Sequence, residues 1–501
     1  MFSKNKKAIM AFMLATMMAA PTVGGNAVYA AEDVDQEVYV NATSEDQEVE
    51  VGSITPTHGD GILVEAEKHS ATVTSDDINA NDGEGIYIRA NDEAEVTVTT
   101  GDVSASSCGI NCSLYNQSNA TIETKNITSD HNGVNSFVND SELTLTTGDI
   151  TASRYGIELI EEDGGVANVV VNGDIKVEGN FVIDGEKAES AGIGFGSFSE
   201  NDKADIIVDG TISGGDAGVL LNPGTFDPGE NLNLTVWKIE LNETGNVAEQ
   251  LYVSQEVKDY YASDGMYIKD VDVKAFEKRI MYIIKHDQLT EGGTISFSDA
   301  NGNALKMSHG YLVANEGDIV LLKTDMQEGY KISGAYSVAD GNKLELLRND
   351  NGDYYTIVPK GGGVYITATA EKEKFDLCFY DEDGNLIQKD NVEYGSYITI
   401  PNAPYREGYD FVCWVGSKYY PGDKYYVTGP HTFRALWEKK EDLSDDTPAN
   451  VSTSVNNIKT KAASPATGDT SNIVILFIVM MLSGAGAVIS TSLKIRLGRE
   501  E

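Results

Sequence analysis

A repeat of 24 residues dominates the first half of the chain. Each copy opens with a glycine: Gly61, Gly85, Gly109, Gly133, Gly156, Gly192 and Gly218. The first four glycines are spaced 24 residues apart, and the last two copies are looser and follow an insertion at residues 179–191. A fixed period of this length is typical of repeat architectures, in which each unit buries its apolar side only against its neighbours.

Every copy has the same internal plan of three short strands. An Ile or Val follows the opening glycine: Ile62, Ile86, Ile110, Val134, Ile157, Ile193 and Val219. An alternating stretch such as "AEVTVTT" or "SELTLTT" comes next, and a third strand starts at an Asp or Asn followed by Ile or Val. Period-2 alternation indicates strands, and Gly, Asn and Asp indicate corners.

This plan predicts an all-β fold that begins with a right-handed parallel β-helix over residues 58–245, after an N-terminal leader or cap at 31–57. Seven coils at roughly 4.8 Å each predict a rod of roughly 34 Å. The stretch "NLNLTVWKIEL" is expected to be the last coil or its cap, because the open end of such a rod has to be covered. The alternative is an antiparallel β-sandwich, whose turns also recur.

Composition narrows the function classes. The 501 residues carry a formal charge of −42, which disfavours nucleic acid and anionic membrane surfaces as partners, since both are bound through Lys and Arg. A hydrophobic content of 41% is enough to fill cores, so the acidity does not indicate disorder. With only 4 cysteines, disulfides do not build the fold.

Catalytic residues are not evident on the predicted rod. The third position of each coil should face solvent, and it does not form a carboxylate pair: Leu63, Tyr87, Asn111, Asn135, Glu158, Gly194 and Leu220. His58, His69 and His131 lack the spacing of metal ligands. We therefore expect no enzyme. The alternative is a polysaccharide lyase or glycoside hydrolase, whose acidic or basic cluster would best be sought near the insertion at 179–191.

No cofactor is predicted. Asp and Asn at the corners could coordinate Ca²⁺, but no copy matches the nonapeptide calcium repeat, and these residues suit turns in their own right. In "CGINC", Cys108 and Cys112 would lie roughly 13 Å apart if extended, which is beyond disulfide reach. Cys112 falls on an inward position and is expected to be a buried apolar filler.

Two β modules are predicted after a connector at 246–287. The pattern of the connector predicts either a short helix and a strand or two strands. Residues 288–371 contain "EGDIVLLK", "EGYKISG" and "PKGGGVYITAT". These motifs resemble a divergent internalin-type B repeat. This resemblance implies a small β-grasp-like module.

Residues 372–440 carry a more specific pattern, with "YG" at 394–395, "PNAPYREGYDFVCW" at 401–414, "YYPGD" and the closing "TFRALW". The pattern resembles the Listeria–Bacteroides repeat of bacterial surface proteins. What this implies is a ubiquitin-like β-grasp module that acts as a spacer or contact surface and has no catalytic residues. The tyrosines here could form a binding face or simply pack between strands, and Cys378 and Cys413 could pair across strands.

The N-terminus has the features of a secretion signal at residues 1–30. Three lysines precede the apolar stretch "AIMAFMLATMMAA", and small residues predict cleavage near Ala30. The alternative is an N-terminal membrane helix, but the run is short and leads directly to the small-residue site.

The C-terminus begins with a flexible linker at 441–463, which has no aromatic residues. The segment 464–501 then contains "SPATGD", an apolar run at 473–493 and a basic tail. This order resembles the LPXTG-type sorting signal of Gram-positive cell-wall proteins, with Ser in place of the first Leu, a departure that leaves the sortase class open. The recognition residues are Ser464, Pro465, Ala466, Thr467 and Gly468.

The resemblance implies that a sortase cuts between Thr467 and Gly468 and joins Thr467 to peptidoglycan. The apolar run is the transmembrane helix that holds the precursor transiently in the plasma membrane. The alternative is a permanent anchor. We therefore expect a secreted protein of the Gram-positive cell wall, an adhesin for an unknown host protein or glycan or a structural stalk.

Overall fold

The computed structural model describes residues 27–30 and 33–440, except 184, 198–200, 223–230, 264, 266, 267, 269, 340, 341 and 417. Most of the predicted signal peptide, the linker at 441–463, the sorting signal at 464–501 and its apolar run at 473–493 lie outside these residues. Within the part of the chain that is described, no helix is long and apolar enough to cross a membrane.

The first half of the protein is a rod of short strands. Its strands are β1 (Ala27–Ala30), β2 (Val38–Ala42), β3 (Gln47–Val51), β4 (Ile62–Glu67), β5 (Ser70–Thr74), β6 (Ile78–Ala80), β7 (Ile86–Asn91), β8 (Glu95–Thr99), β9 (Val103–Ala105), β10 (Ile110–Tyr115), β11 (Asn119–Glu123), β12 (Ile127–Ser129), β13 (Val134–Asn139), β14 (Glu142–Thr147), β15 (Ile150–Ala152), β16 (Tyr155–Glu162), β17 (Val166–Val171), β18 (Ile175–Val177), β19 (Val182–Ile183), β20 (Glu186–Lys187), β21 (Ala191–Ser197), β22 (Lys203–Gly214), β23 (Ala217–Leu221), β24 (Leu232–Ile239) and β25 (Ala248–Gln250).

These strands form a parallel β-helix, as the repeat predicts, with about eight turns rather than seven. The strands at the seven opening glycines, together with β2 before them and β25 after them, make one nine-stranded parallel sheet: β2, β4, β7, β10, β13, β16, β21, β23 and β25. The other strands of each coil form most of a second, larger sheet. In the first sheet Ile86 pairs with Ile110, and Ile110 pairs with Val134. All three side chains are fully buried, so the predicted inner column is confirmed.

The opening glycines are required by a close approach between coils. A Cβ atom on Gly109 would lie 2.3 Å from Cγ2 of Ile127 and 2.6 Å from the carbonyl oxygen of Gly133. The same contacts recur at Gly85 and Gly133 with the next coil. Any side chain at these positions would push the coils apart, which explains why glycine marks the start of each copy.

The rod begins earlier than the sequence indicated. Residues 31–57 were expected to be a leader or cap, but β2 pairs in register with β4, with Val38 opposite Ile62. β3 likewise pairs with β5. The segment is therefore a further coil. The repeat is not recognisable in the sequence of this segment, because Glu37 occupies the position, 24 residues before Gly61, where the other copies have glycine.

The connector contains two helices, α1 (Gln255–Ser263) and α2 (Val273–Glu277), followed by a strand, so its helix-and-strand interpretation is confirmed. That strand, β26 (Met281–Ile283), pairs in parallel with β24 of the last coil. Phe276 and Tyr282 are buried in the same continuous core as the rod. The open end of the β-helix is covered in this way.

The first module, after the rod, consists of two four-stranded sheets instead of the single mixed sheet of a β-grasp fold. One sheet has the order β27–β36–β32–β33 and the other β28–β31–β35–β34, while β29 and β30 extend the large sheet of the rod. Its strands are β27 (Lys285–His286), β28 (Gly293–Ser298), β29 (Lys306–Ser308), β30 (Tyr311–Asn315), β31 (Ile319–Met326), β32 (Tyr330–Ala339), β33 (Asn342–Glu345), β34 (Leu347–Arg348), β35 (Tyr354–Ile357) and β36 (Tyr365–Lys372).

The second module has the β-grasp strand order that its sequence implied. Its strands are β37 (Lys374–Tyr380), β38 (Leu386–Glu393), β39 (Tyr397–Thr399), β40 (Tyr409–Val415), β41 (Lys424–Tyr426) and β42 (His431–Lys439). The sheet order is β38–β37–β42–β40, with the first and last strands parallel at the centre. Phe379 stacks on Phe433 at 4.6 Å between ring centroids, and the buried Trp414 donates its indole N–H to the carbonyl of Pro401.

Candidate functional site

The outer surface of the nine-stranded sheet carries two columns of side chains. One column contains the residues just before the opening glycines: Asp60, Glu84, Cys108, Asn132 and Tyr155. The other contains the predicted outward positions, of which Tyr87, Asn111, Asn135 and Glu158 lie opposite one another on consecutive strands. We call the group Glu84, Tyr87, Asn111, Asn132, Asn135 and Glu158 the polar face.

Side-chain hydrogen bonds run along the polar face from coil to coil. Nδ2 of Asn111 donates to Oε1 of Glu84 at 2.7 Å, and Nδ2 of Asn135 donates to Oδ1 of Asn111 at 3.2 Å. Nδ2 of Asn132 donates to Oε2 of Glu158, also at 2.7 Å. The amides are thus held in fixed orientations on a rigid sheet, which is what a preorganised binding surface needs.

Two acidic residues, Asp60 and Glu84, lie next to each other at one end of the polar face. Oδ1 of Asp60 accepts a hydrogen bond from the backbone N–H of Glu84 at 2.9 Å. Burial raises the pKa of Glu84 to about 7, and the neighbouring charge of Asp60 adds to this, while the hydrogen bond from Asn111 opposes it. Burial also raises the pKa of Asp60. This pair was not predicted from the sequence, because both residues precede the glycines and strand alternation indicates direction only for the positions after them.

Aromatic side chains accompany the polar groups. Tyr87 lies half-buried within the face, and the rings of Tyr115 and Phe137 pack together at 5.3 Å between centroids on the adjacent strands. Arg89 is exposed next to them. Apolar ring faces beside fixed amides and carboxylates suit a ligand that has both apolar faces and hydroxyl groups.

The insertion at 179–191 forms a boundary of this surface. Its strands β19 and β20 make an antiparallel hairpin, and the ring of Phe181 lies 4.3 Å from that of His131. The Sγ atom of Cys108 is 3.4 Å from Nδ1 of the same histidine. The guanidinium of Arg154 lies 4.7 Å above the ring of Tyr155. These contacts place Cys108, His131 and Arg154 beside the insertion, but they are not the acidic or basic cluster that the enzyme alternative requires there.

Beyond the hairpin the outer column becomes apolar and covered. Leu220 was expected to face solvent, but it is buried against Tyr155 and Ala191, with Leu251 packed beside them. Gly194 is also buried, since a Cβ atom there would meet the ring of Tyr155. The accessible part of the face therefore extends from Asp60 to Glu158.

The other candidate residues are dispersed. His58 and His69 lie at the surface near Asp82 and Asp46, respectively. Cys112 is fully buried, as predicted. All four cysteines are free, so the disulfide considered between Cys378 and Cys413 is absent from the structure. Among the described residues no group of three or more His, Cys, Asp or Glu side chains is arranged to hold a metal ion.

Some tyrosines of the second module pack in its core, and others are exposed. Tyr419 and Tyr425 pack edge-on against Phe433 in the core, which agrees with strand packing. Four others are exposed: Tyr397, Tyr405, Tyr420 and Tyr426. The rings of Tyr397 and Tyr426 lie 5.0 Å apart and could contribute to a contact surface.

The predicted sorting signal lies outside the part of the chain that the structure describes, and this includes Ser464, Pro465, Ala466, Thr467 and Gly468. Ala30 lies at the end of β1, which pairs with β3 at the N-terminal end of the rod. Cleavage after Ala30 would remove this strand.

Residues 375–436 match the family model of the Listeria–Bacteroides repeat domain. The matched residues fall within the second module and include its four-stranded sheet almost completely. The resemblance read from the sequence motifs at 372–440 is therefore confirmed for this part of the chain. None of the curated proteins compared with the chain matches it. Together, the repeat domain and the β-helix fit a surface or structural protein.

Proposed function

We propose that the protein is secreted by a Gram-positive bacterium, attached to its cell wall by a sortase, and presents the β-helix as a ligand-binding rod. The main support for a location at the cell surface is the match of residues 375–436 to a Listeria–Bacteroides repeat domain. The order of signal peptide, linker, "SPATGD", apolar run and basic tail supports it from the sequence. In this view the partners are sortase, peptidoglycan and an extracellular ligand.

Cell fractionation of variants tests the anchoring. Thr467→Ala and Pro465→Ala should leave the protein in the membrane fraction, released by detergent and not by muramidase. Ala466→Ser is the matched control, because sorting signals of this type vary at that position, and it should remain in the wall like the wild type. Wall attachment of Thr467→Ala would contradict the sortase mechanism.

The polar face is the proposed binding surface, and a glycan is the class of ligand it suits best. Sugar rings can pack on Tyr87 and Phe137, while their hydroxyls can bond to the fixed amides of Asn111 and Asn135. The acidic composition disfavours polyanionic ligands and leaves neutral or basic glycans.

Binding to a glycan array tests this assignment. The mature protein should bind a subset of neutral glycans, and the double change of Asn111→Ala with Asn135→Ala should weaken binding at least tenfold. Thr121→Ala, at an exposed position of the other sheet, should leave binding unchanged. Equal binding by both variants would place the ligand elsewhere, for instance on the tyrosines of the second module.

A second candidate is a glycoside hydrolase, and the observation that favours it is the pair of Asp60 and Glu84. A carboxyl group with a pKa near 7 can act as a general acid next to a second carboxylate. Binding remains the preferred function because Oδ1 of Asp60 and Oε1 of Glu84 already accept hydrogen bonds from the protein. Reducing or unsaturated ends released from a polysaccharide panel, and lost in Glu84→Gln, would establish the enzyme.

A further inference from the structure

Three side chains from distant parts of the chain converge where the rod meets the first module. Nζ of Lys360 lies 2.7 Å from Oδ1 of Asn246, although the two residues are 114 positions apart. The same amine is 3.2 Å from Oε2 of Glu277. Asn246 belongs to the turn between the rod strands β24 and β25, Glu277 ends helix α2, and Lys360 belongs to the loop before β36.

Further hydrogen bonds fix the orientation of Glu277 and Asn246. Oε1 of Glu277 accepts the backbone N–H groups of Val247 and Ala248 at 3.0 and 3.2 Å, so its other oxygen is directed at the lysine. Glu277 is only 6% exposed. The carboxamide of Asn246 also donates to Oγ1 of Thr244. A long lysine side chain is therefore presented to a fixed carboxamide beside a fixed carboxyl group.

The backbone around Lys360 is fixed to the rod as well. The N–H of Ile239 donates to the carbonyl of Gly361 at 2.7 Å, and the N–H of Gly363 donates to the carbonyl of Trp237 at 2.8 Å. Three consecutive glycines, 361 to 363, have left-handed φ angles of 81°, 74° and 78°. These glycines let the loop lie directly on the last coil, since a Cβ atom on Gly361 would come within 2.4 Å of the carbonyl of Ile239.

We propose that Lys360 and Asn246 become joined by an intramolecular amide bond, with Glu277 as the residue that carries the proton. Oε2 of Glu277, 3.2 Å from Nζ of Lys360, is placed to accept a proton from the amine as it attacks. The free amine is the nucleophile, and the side-chain carbonyl carbon of Asn246 is the electrophile.

The reaction is balanced without an oxidant or any other reagent. The amine nitrogen of Lys360 forms a bond to Cγ of Asn246, and the bond from Cγ to the amide nitrogen breaks. Glu277 takes two protons in turn from the nitrogen of Lys360 and passes both to the leaving nitrogen, so it ends as the carboxylate it was at the start. One ammonia molecule leaves, as its ammonium ion. The Lys360 side chain is 29% exposed, which gives the ammonia a route to solvent.

The attack of a lysine amine on an asparagine amide is slow in solution. The folded structure accelerates it, because reactive groups held together reach effective concentrations far above those in solution. The bond would tie the end of the β-helix covalently to the first module. A rod that bears a load between its ligand and its anchor would then resist separation at this junction.

A second group of lysine, asparagine and carboxylate side chains lacks the features that the proposed bond requires. Lys323 lies 3.2 Å from Asp353, and Asn349 lies close to the same aspartate. However, the amide of Asn349 donates to Asp353, and both charged side chains are more than a third exposed. Lys323 therefore makes an ordinary ion pair and provides a matched control.

Peptide mapping of the purified full-length protein by mass spectrometry tests the proposal. Trypsin should fail to cut after Lys360, and one peptide should contain the segments around Asn246 and Lys360, with a mass lower than their sum by one ammonia. Lys360→Arg should lack the link, and Lys323→Arg should keep it. Separate peptides of ordinary mass in the wild type would overturn the proposal.

The variant Glu277→Gln tests the role of the carboxyl group. Its amide oxygen can still accept the N–H groups of Val247 and Ala248, so the fold should be preserved, which circular dichroism and thermal melting would check. The linked fraction should fall at least tenfold. An unchanged linked fraction in the folded variant would remove Glu277 from the mechanism. If Glu277→Gln does not fold, Glu277→Asp takes its place. The shorter side chain of Asp reaches Lys360 less well, so this variant should also form the link more slowly.

Discussion

Ile110 lies directly opposite Val134 on the next coil, and both side chains are completely buried in the rod. The pair belongs to a column in which each apolar residue is covered by the residues one period before and after it. The stability of the rod therefore depends on an uninterrupted stack, and a single polar residue within it has no water or partner to bond.

Ile110→Asp should destabilise the protein by about 3 to 5 kcal/mol, because it buries an unpaired carboxyl group in the column. Ser113→Asp is the control: it lies on the same strand with its side chain directed outward, opposite Arg89. Urea unfolding should show a much lower midpoint for Ile110→Asp and little change for Ser113→Asp. Equal midpoints would mean that the inner register is wrong.

A methyl group at an opening glycine should also separate the coils. Gly109→Ala is expected to cost about 1 to 3 kcal/mol, because the new Cβ atom would overlap Ile127 and the carbonyl of Gly133. Gly429→Ala adds the same methyl group where no atom lies within 4 Å, and it should be neutral within error. Thermal melting of the two variants measures the contrast, and a neutral Gly109→Ala would refute the close approach.

The raised pKa of Glu84 predicts a pH-dependent stability. Because the folded state holds this proton more tightly, the stabilisation is fully present below pH 4.5 and is lost as the pH rises through about 7. Glu84→Gln removes the titration. After allowance for solvent screening, its stability relative to the wild type should increase by about 1 to 2 kcal/mol across this window. Urea unfolding curves at several pH values measure the difference.

Glu95→Gln provides the comparison for that experiment. It removes the same formal charge from an exposed position on the other sheet, so it controls for the loss of charge alone. If the stability of Glu84→Gln stayed parallel to that of the wild type from pH 4.5 to 7, the carboxyl group of Glu84 would not be buried as the structure has it.

The fold was largely predictable from the sequence because its determinants are local and repeated. The glycine at each coil start is fixed by contact with the neighbouring coil, and the Ile or Val after it points inward by strand alternation. The first coil was missed because Glu37 replaces that glycine. The two sheets of the first module were missed because strand pairing there depends on contacts between distant residues.

The candidate site was less predictable. Strand alternation gave the outward direction of Asn111 and Asn135, but it does not apply at corners. Asp60 and Glu84 stand one residue before the glycines, where the backbone turns, and the direction of a side chain depends there on the local dihedral angles. The contact of Lys360 with Asn246 has no local sequence signal at all, since 114 residues separate them.

The C-terminal peptide of the mature protein tests the central claim of surface anchoring most directly. Protein released from cell walls by muramidase should be digested and its last peptide identified by mass spectrometry. The account predicts that this peptide ends at Thr467 and that the threonine carries a peptidoglycan peptide in amide linkage. A mature protein whose sequence continues through Gly468 to Glu501 would contradict the account and make the apolar run a permanent anchor.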